Sequence, residues 1–287
     1  MGPFALDFMV RALIAGLLTG LMAPAVGTYI VQRRLSLLGD GLGHVAVAGV
    51  GLALITGQSP VPVAVVVCIV GAVLIELLRQ SGRASGDVGL AILFYGGLAA
   101  GVLMAGIAGA GSGSLTQFLF GSLTSVNSTD LVIVAVVAVF VLIVSIGLSP
   151  ELFAVCADED FARTQGLPTR LLSLLIVVQA AATVAVSMRT VGLMLVSALM
   201  VIPVATANNL VTGFRRTIFF SMVIGLVVAF LGVVGSYYLD TASGATIVVL
   251  AIVVFVVSLP IGRLIGRRMR RTILPDDENV PQPAGEH

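Results

Sequence analysis

Residues 41–75, GLGHVAVAGVGLALITGQSPVPVAVVVCIVGAVLI, contain no Asp, Glu, Arg or Lys. A charge near mid-bilayer costs about 2.5–3.5 kcal/mol on insertion scales, so an uncharged run of this length reads as lipid-embedded chain. It is too long for a single span of about 20 residues. The cluster TGQSPVP at 56–62, with its two prolines, is the turn that divides it into two helices. Further uncharged gaps run over 12–32, 88–129, 131–150, 171–188, 190–214, 217–239 and 241–262. The gap at 88–129 divides into a span from Val88 to about Ala108 and a Gly/Ser-rich loop, GAGSGSLTQFLFGSLTSVNSTD at 109–130. The sequence therefore predicts an all-α, polytopic transmembrane helix bundle of about nine spans. One membrane domain covers 1–273, and LPDDENVPQPAGEH at 274–287 is an acidic, proline-rich, disordered cytoplasmic tail.

Composition supports this and removes several function classes. Of 287 residues, 58% are hydrophobic and 10% charged, against about 25% charged in a soluble domain. All 15 basic residues are arginine. A G-x-x-x-x-G-K-[ST] phosphate loop needs its lysine, so ATP hydrolysis by that route is excluded. A net charge of +1 with scattered arginines excludes nucleic-acid binding. Cys68 and Cys156 have no C-x-x-C spacing and read as structural. MGPFALDFMVRALIAGLL at 1–18 lacks the basic start of a cleavable signal and reads as a retained span. Small residues, as in LAAGVLMAGIAGAG at 98–111, predict close helix packing in lipid.

Arginine placement orients the bundle, because positive charge stays cytoplasmic. With the C-terminal group Arg263, Arg267, Arg268, Arg270 and Arg271 inside, nine spans also put Arg33, Arg34, Arg79, Arg83, Arg163, Arg170, Arg215 and Arg216 inside. Only Arg11 and Arg189 fall outside, and the N-terminus lies outside.

Two constellations carry chemistry. In RRLSLLGDGLGHVAVAGVGLALITG at 33–57, Asp40 and His44 are four residues apart. That spacing puts them on one helix face with Cβ atoms about 5–6 Å apart. A carboxylate with an imidazole suits zinc, manganese or ferrous iron rather than potassium or calcium. The plainer alternative is that Asp40 caps a helix and His44 is a satisfied polar residue. One chain lacks a second buried histidine, so a fuller site requires a homodimer contributing two carboxylates and two imidazoles. The second constellation is SPELFAVCADEDFARTQGLPTR at 149–170. It predicts a short cytoplasmic helix within 151–168 that starts at Asp158, Glu159 and Asp160 and stops at Gly166 before Pro168. Phe161, Arg163 and the acidic residues would face the cytosol, either as a solvated connector or as a docking helix for a soluble partner.

Lesser features read more plainly. Glu76, three residues before Arg79, predicts a local ion pair. Pro203 predicts a kinked or broken helix, and Asp240 an outer loop or cap. Gly39, Gly41 and Gly43 follow no strand and do not support dinucleotide binding.

RRLSLLGDGLGHVAVAGVGLA at 33–53 closely resembles the signature of the zinc and manganese ABC transporter permeases, the ZnuB- and TroC-like membrane subunits. LFGSLTSV, ADEDFARTQGLP, VGLMLVSALMVIPVATA and SYYLDTASGATIVVLAIVVF fit the same family in the same order. The resemblance implies a non-enzymatic permease of the bacterial inner membrane that imports a divalent metal ion. It implies a homodimeric or pseudo-symmetric assembly with two separate cytoplasmic ATPase subunits and an extracytoplasmic metal-binding protein, with Zn2+ favoured over Mn2+ as cargo and no permanent cofactor. Asp40 and His44 fall on the family's metal path, and Glu159 to Gly166 on its coupling helix. The alternative is an ion-coupled secondary divalent-cation transporter. A serine-type or aspartyl intramembrane hydrolase lacks its partner residues.

Overall fold

The computed structural model describes residues 7–81, 86–109, 121, 127–188 and 191–273, and every regular element among them is an α-helix. The elements are α1 (Asp7–Gln32), α2 (Leu38–Thr56), α3 (Pro60–Gln80), α4 (Gly86–Ile107), α5 (Ser128–Gly147), α6 (Ser149–Ala157), α7 (Glu159–Thr164), α8 (Thr169–Ser187), α9 (Leu193–Leu210), α10 (Phe214–Leu239) and α11 (Ser243–Ile273). The tail 274–287, most of the Gly/Ser-rich loop, Arg83 and Arg189 lie outside the described residues.

Local sequence sets the boundaries. Helix α2 ends at Gly57, whose φ of 67° is left-handed, and Pro60 opens α3, so TGQSPVP is the predicted turn. Helix α5 starts with a capping box between Asn127 and Asp130. Among the described residues eight helices are long and apolar enough to cross a bilayer, and the apolar part of α9 is shorter, so the nine expected spans correspond there to eight full-length helices and one short one. Of the kink or break expected at Pro203, a break does not occur, since α9 runs through it from Leu193 to Leu210. The residue is buried among neighbouring helices, which can hold a helix together where one backbone bond is missing.

Helix α1 packs against α5, α8, α9 and α10, and α2 packs against α3, α4, α8 and α9. The most apolar window of α2 is 78% buried and that of α4 only 17%, so α2 is a core helix and α4 part of the outer ring. Val132, Val136 and Ile143 on α5 are exposed, as lipid-facing side chains are in a solvent that is itself apolar.

The helix ends sort into two faces. Arg11 donates to Ser128 Oγ at 3.5 Å, which brings the starts of α1 and α5 together. At the opposite face Arg33, Glu76, Arg79 and Glu159 meet. Ser149, Phe153, Gly213, Arg215 and Arg216 line one open cleft between the starts of α6 and α10. These arginines share the face that positive-inside sorting makes cytoplasmic.

Candidate metal path and docking helix

Asp40 sits in the first turn of α2, where its charge is favoured by the helix dipole. No side chain caps this helix start, so Asp40 is not held there as a capping group. It lines an open cleft of about 330 Å³ with Leu37, Leu90, Ala91, Phe94 and Tyr95. One turn further on, His44 is only 7% exposed, and its buried Nδ1 has no hydrogen-bond partner. The imidazole is therefore not a satisfied core histidine. Phe94 meets it edge-on with ring centroids 4.2 Å apart and also lines the Asp40 cleft. Sequence reasoning missed Phe94, because a residue brought in from another helix leaves no local signal.

Glycine lets α4 approach. A Cβ placed on Gly97 would stand 2.6 Å from Val45 N and 2.7 Å from His44 C, and one on Gly101 would meet Val47 and Ala48 at 2.7–3.0 Å. Gly97→Val is expected to pry α4 off α2 and to lower the thermal unfolding midpoint in detergent by several degrees, since overpacking costs about 1–3 kcal/mol. An unchanged midpoint would count against this seating of the two helices.

Among the described residues no group of three or more His, Cys, Asp and Glu could hold a metal ion. Asp40 and His44 stand one turn apart on α2 as a candidate pair, and two ligands would suit passage rather than storage, because conduction needs binding weak enough to release.

The second constellation folds as its punctuation predicts. Asp158 caps α7, its side chain accepting from Phe161 N at 2.9 Å. Gly166, with φ of 82°, follows the helix end. Ala162 is buried beneath the helix, while Phe161 is 60% exposed and Asp160 and Arg163 are exposed beside it. Glu159 instead turns inward, 3.7 Å from Arg33 and 3.8 Å from Arg79. Glu76 forms the predicted local pair as a two-pronged contact, accepting from Arg79 Nε at 2.8 Å and Nη2 at 2.7 Å. Burial pushes the Cys156 thiol on α6 up to about 12, so it stays protonated at neutral pH, in keeping with a structural role. Neither cysteine is in a disulfide.

The chain belongs to the ABC 3 transport family, which it matches over residues 5–262. It is similar to a manganese transport system membrane protein, MntC, from Halalkalibacterium halodurans, at 30% identity over 87% of this chain and 85% of that one. It is also similar to the high-affinity zinc uptake system membrane protein ZnuB of Haemophilus influenzae, at 26% identity over 88% of this chain and 97% of that one. Among solved structures it resembles PsaBC from Streptococcus pneumoniae in complex with Fab, with a TM-score of 0.79 and 29% identity, covering 88% of this chain and 91% of the other. The protein is therefore a membrane permease of an ABC-type metal importer and a multi-pass protein of the bacterial inner membrane. It is not an enzyme, because ATP hydrolysis belongs to a separate subunit of such a system. Family membership favours the ABC reading over a secondary transporter.

Proposed function

We propose that this permease passes zinc, with manganese as the alternative cargo, and that Asp40 and His44 are its ligands on the path. The observation that carries the reading is the buried, unpartnered His44 Nδ1 one turn from Asp40, which itself faces an open cleft. A buried polar atom without a partner calls for a visiting one, and carboxylate with imidazole selects a borderline transition-metal ion over potassium or calcium. In a homodimer two such pairs would flank the route and replace part of the ion's hydration shell. An extracytoplasmic metal-binding protein delivers the ion at one face. At the other, an ATPase subunit docks on α7 through Phe161 and its exposed neighbours Asp160 and Arg163, with Asp158 and Gly166 fixing the ends of the helix. The zinc uptake system to which the ZnuB relative belongs supports zinc, and the MntC relative keeps manganese as the alternative.

The test is uptake of radiolabelled zinc and manganese into vesicles holding the reconstituted complex, with and without the ATPase subunit. Zinc uptake that requires the ATPase and ATP is expected. Uptake by this chain alone, driven by a proton gradient, would overturn the coupling; preferred uptake of manganese would overturn the choice of ion.

A further inference from the structure

We propose that Arg33, Glu76, Arg79 and Glu159 form the joint that carries movement of α7 into the transmembrane helices α1 and α3, with Glu159 as its moving member. The inference rests on the docking reading above and names residues that position rather than bind. Arg33 follows the last residue of α1, Glu76 and Arg79 lie in the last turns of α3, and Glu159 is the first residue of α7. The cluster thus ties the docking helix to two membrane helices that are distant in sequence. Backbone packing of α7 is chiefly against its neighbours α6 and α8, and the ion pairs extend its contacts to the ends of α1 and α3.

Burial makes the joint hold. The side chains of Arg33 and Glu76 are 6% and 3% exposed, and separating buried opposite charges leaves each uncompensated. The contacts are also graded. Arg79 grips Glu76 at 2.7–2.8 Å, and Gln80 Nε2 extends the grip, donating to Glu76 Oε1 at 3.0 Å and to the Arg170 carbonyl at the start of α8 at 3.3 Å. That part is a fixed base. Glu159, 30% exposed, stands back at 3.7 and 3.8 Å from the two guanidinium groups. Arg33 Nη1 is buried and has no hydrogen-bond partner. The same guanidinium faces Glu159 through Nη2 at 3.7 Å, and an incompletely bonded guanidinium beside a loosely held carboxylate gives two arrangements. In the one seen here Glu159 stands off, and in the other a shift of about 1 Å closes it to the roughly 2.8 Å of a charge-assisted hydrogen bond.

The test uses the reconstituted complex of permease and ATPase with Glu159→Gln and Glu159→Asp. Neither change strands Arg33 or Arg79, because both retain Glu76. Three quantities are measured: ATPase retained on purification, ATP hydrolysed, and metal ions moved per ATP. In Glu159→Gln the ATPase should remain bound and hydrolysing while ions per ATP fall about fivefold or more, the lower end of usual coupling strengths. Glu159→Asp, which keeps the charge, should recover at least half of the loss. Unchanged ions per ATP in Glu159→Gln would overturn the joint. So would loss of the ATPase, which would make Glu159 a docking contact and leave docking at α7 standing. Failure of docking itself is read separately, from Phe161.

Discussion

Asp40→Asn and His44→Ala are each expected to abolish metal uptake while the permease still folds and still carries its ATPase. Asp40→Asn preserves size and hydrogen-bonding capacity and removes one negative charge from a cleft walled by Leu37, Leu90, Phe94 and Tyr95. A divalent ion there loses an attraction on the order of several kcal/mol even at the effective dielectric of a protein surface. That is a drop of a hundredfold or more in occupancy. His44→Ala removes the second proposed ligand, whose Nδ1 has no protein partner to lose, so the fold gives up packing around the ring, including the edge-on contact with Phe94, but no hydrogen bond from Nδ1. Radiolabelled zinc uptake together with co-purification of the ATPase checks both variants. Wild-type uptake in either would end the assignment of α2 as the ligand-bearing helix. Loss of assembly together with uptake would instead make the pair structural.

Much of this was legible in the chain because the deciding signals are local. Gaps between charges locate the helices, since a charge is excluded from lipid wherever the fold places it. A spacing of four puts Asp40 and His44 on one face of any helix. The acidic start and glycine stop of α7 are written in consecutive residues, and Asp158 caps it as they predict. What could not be read depends on which helices meet. Phe94 reaches His44 only because Gly97 and Gly101 let α4 lie close on α2. Glu159 sits among residues that look uniformly solvent-facing, yet Arg33 and Arg79 draw it inward from two other helices. At Pro203, too, packing decides between the two outcomes that local rules allow, a kink or a break: α9 is enclosed by α1, α2, α10 and α11 and continues.

Phe161→Asp is expected to detach the ATPase. Phe161, 60% exposed on a capped, polar helix, leaves apolar surface that a partner could bury with a gain proportional to its area. Nothing inside the permease requires it there, because Ala162, buried beneath, anchors the helix. Its apolar surface is therefore available to a partner's groove, with Asp160 and Arg163 as the polar rim. An aromatic anchor at the centre of an interface carries about 2 kcal/mol or more, which is roughly a thirtyfold loss of affinity. Aspartate adds to that loss, since it would place an unpaired charge in the same groove. Phe161→Leu, apolar but smaller, should retain most of the binding, and thermal unfolding of the isolated permease should move little in either variant. Co-purification of the tagged permease with its ATPase checks the series. Undiminished recovery in Phe161→Asp would place the docking surface elsewhere on the cytoplasmic face, and equal loss in the Asp and Leu variants would mean that shape, rather than burial of an apolar group, governs the contact.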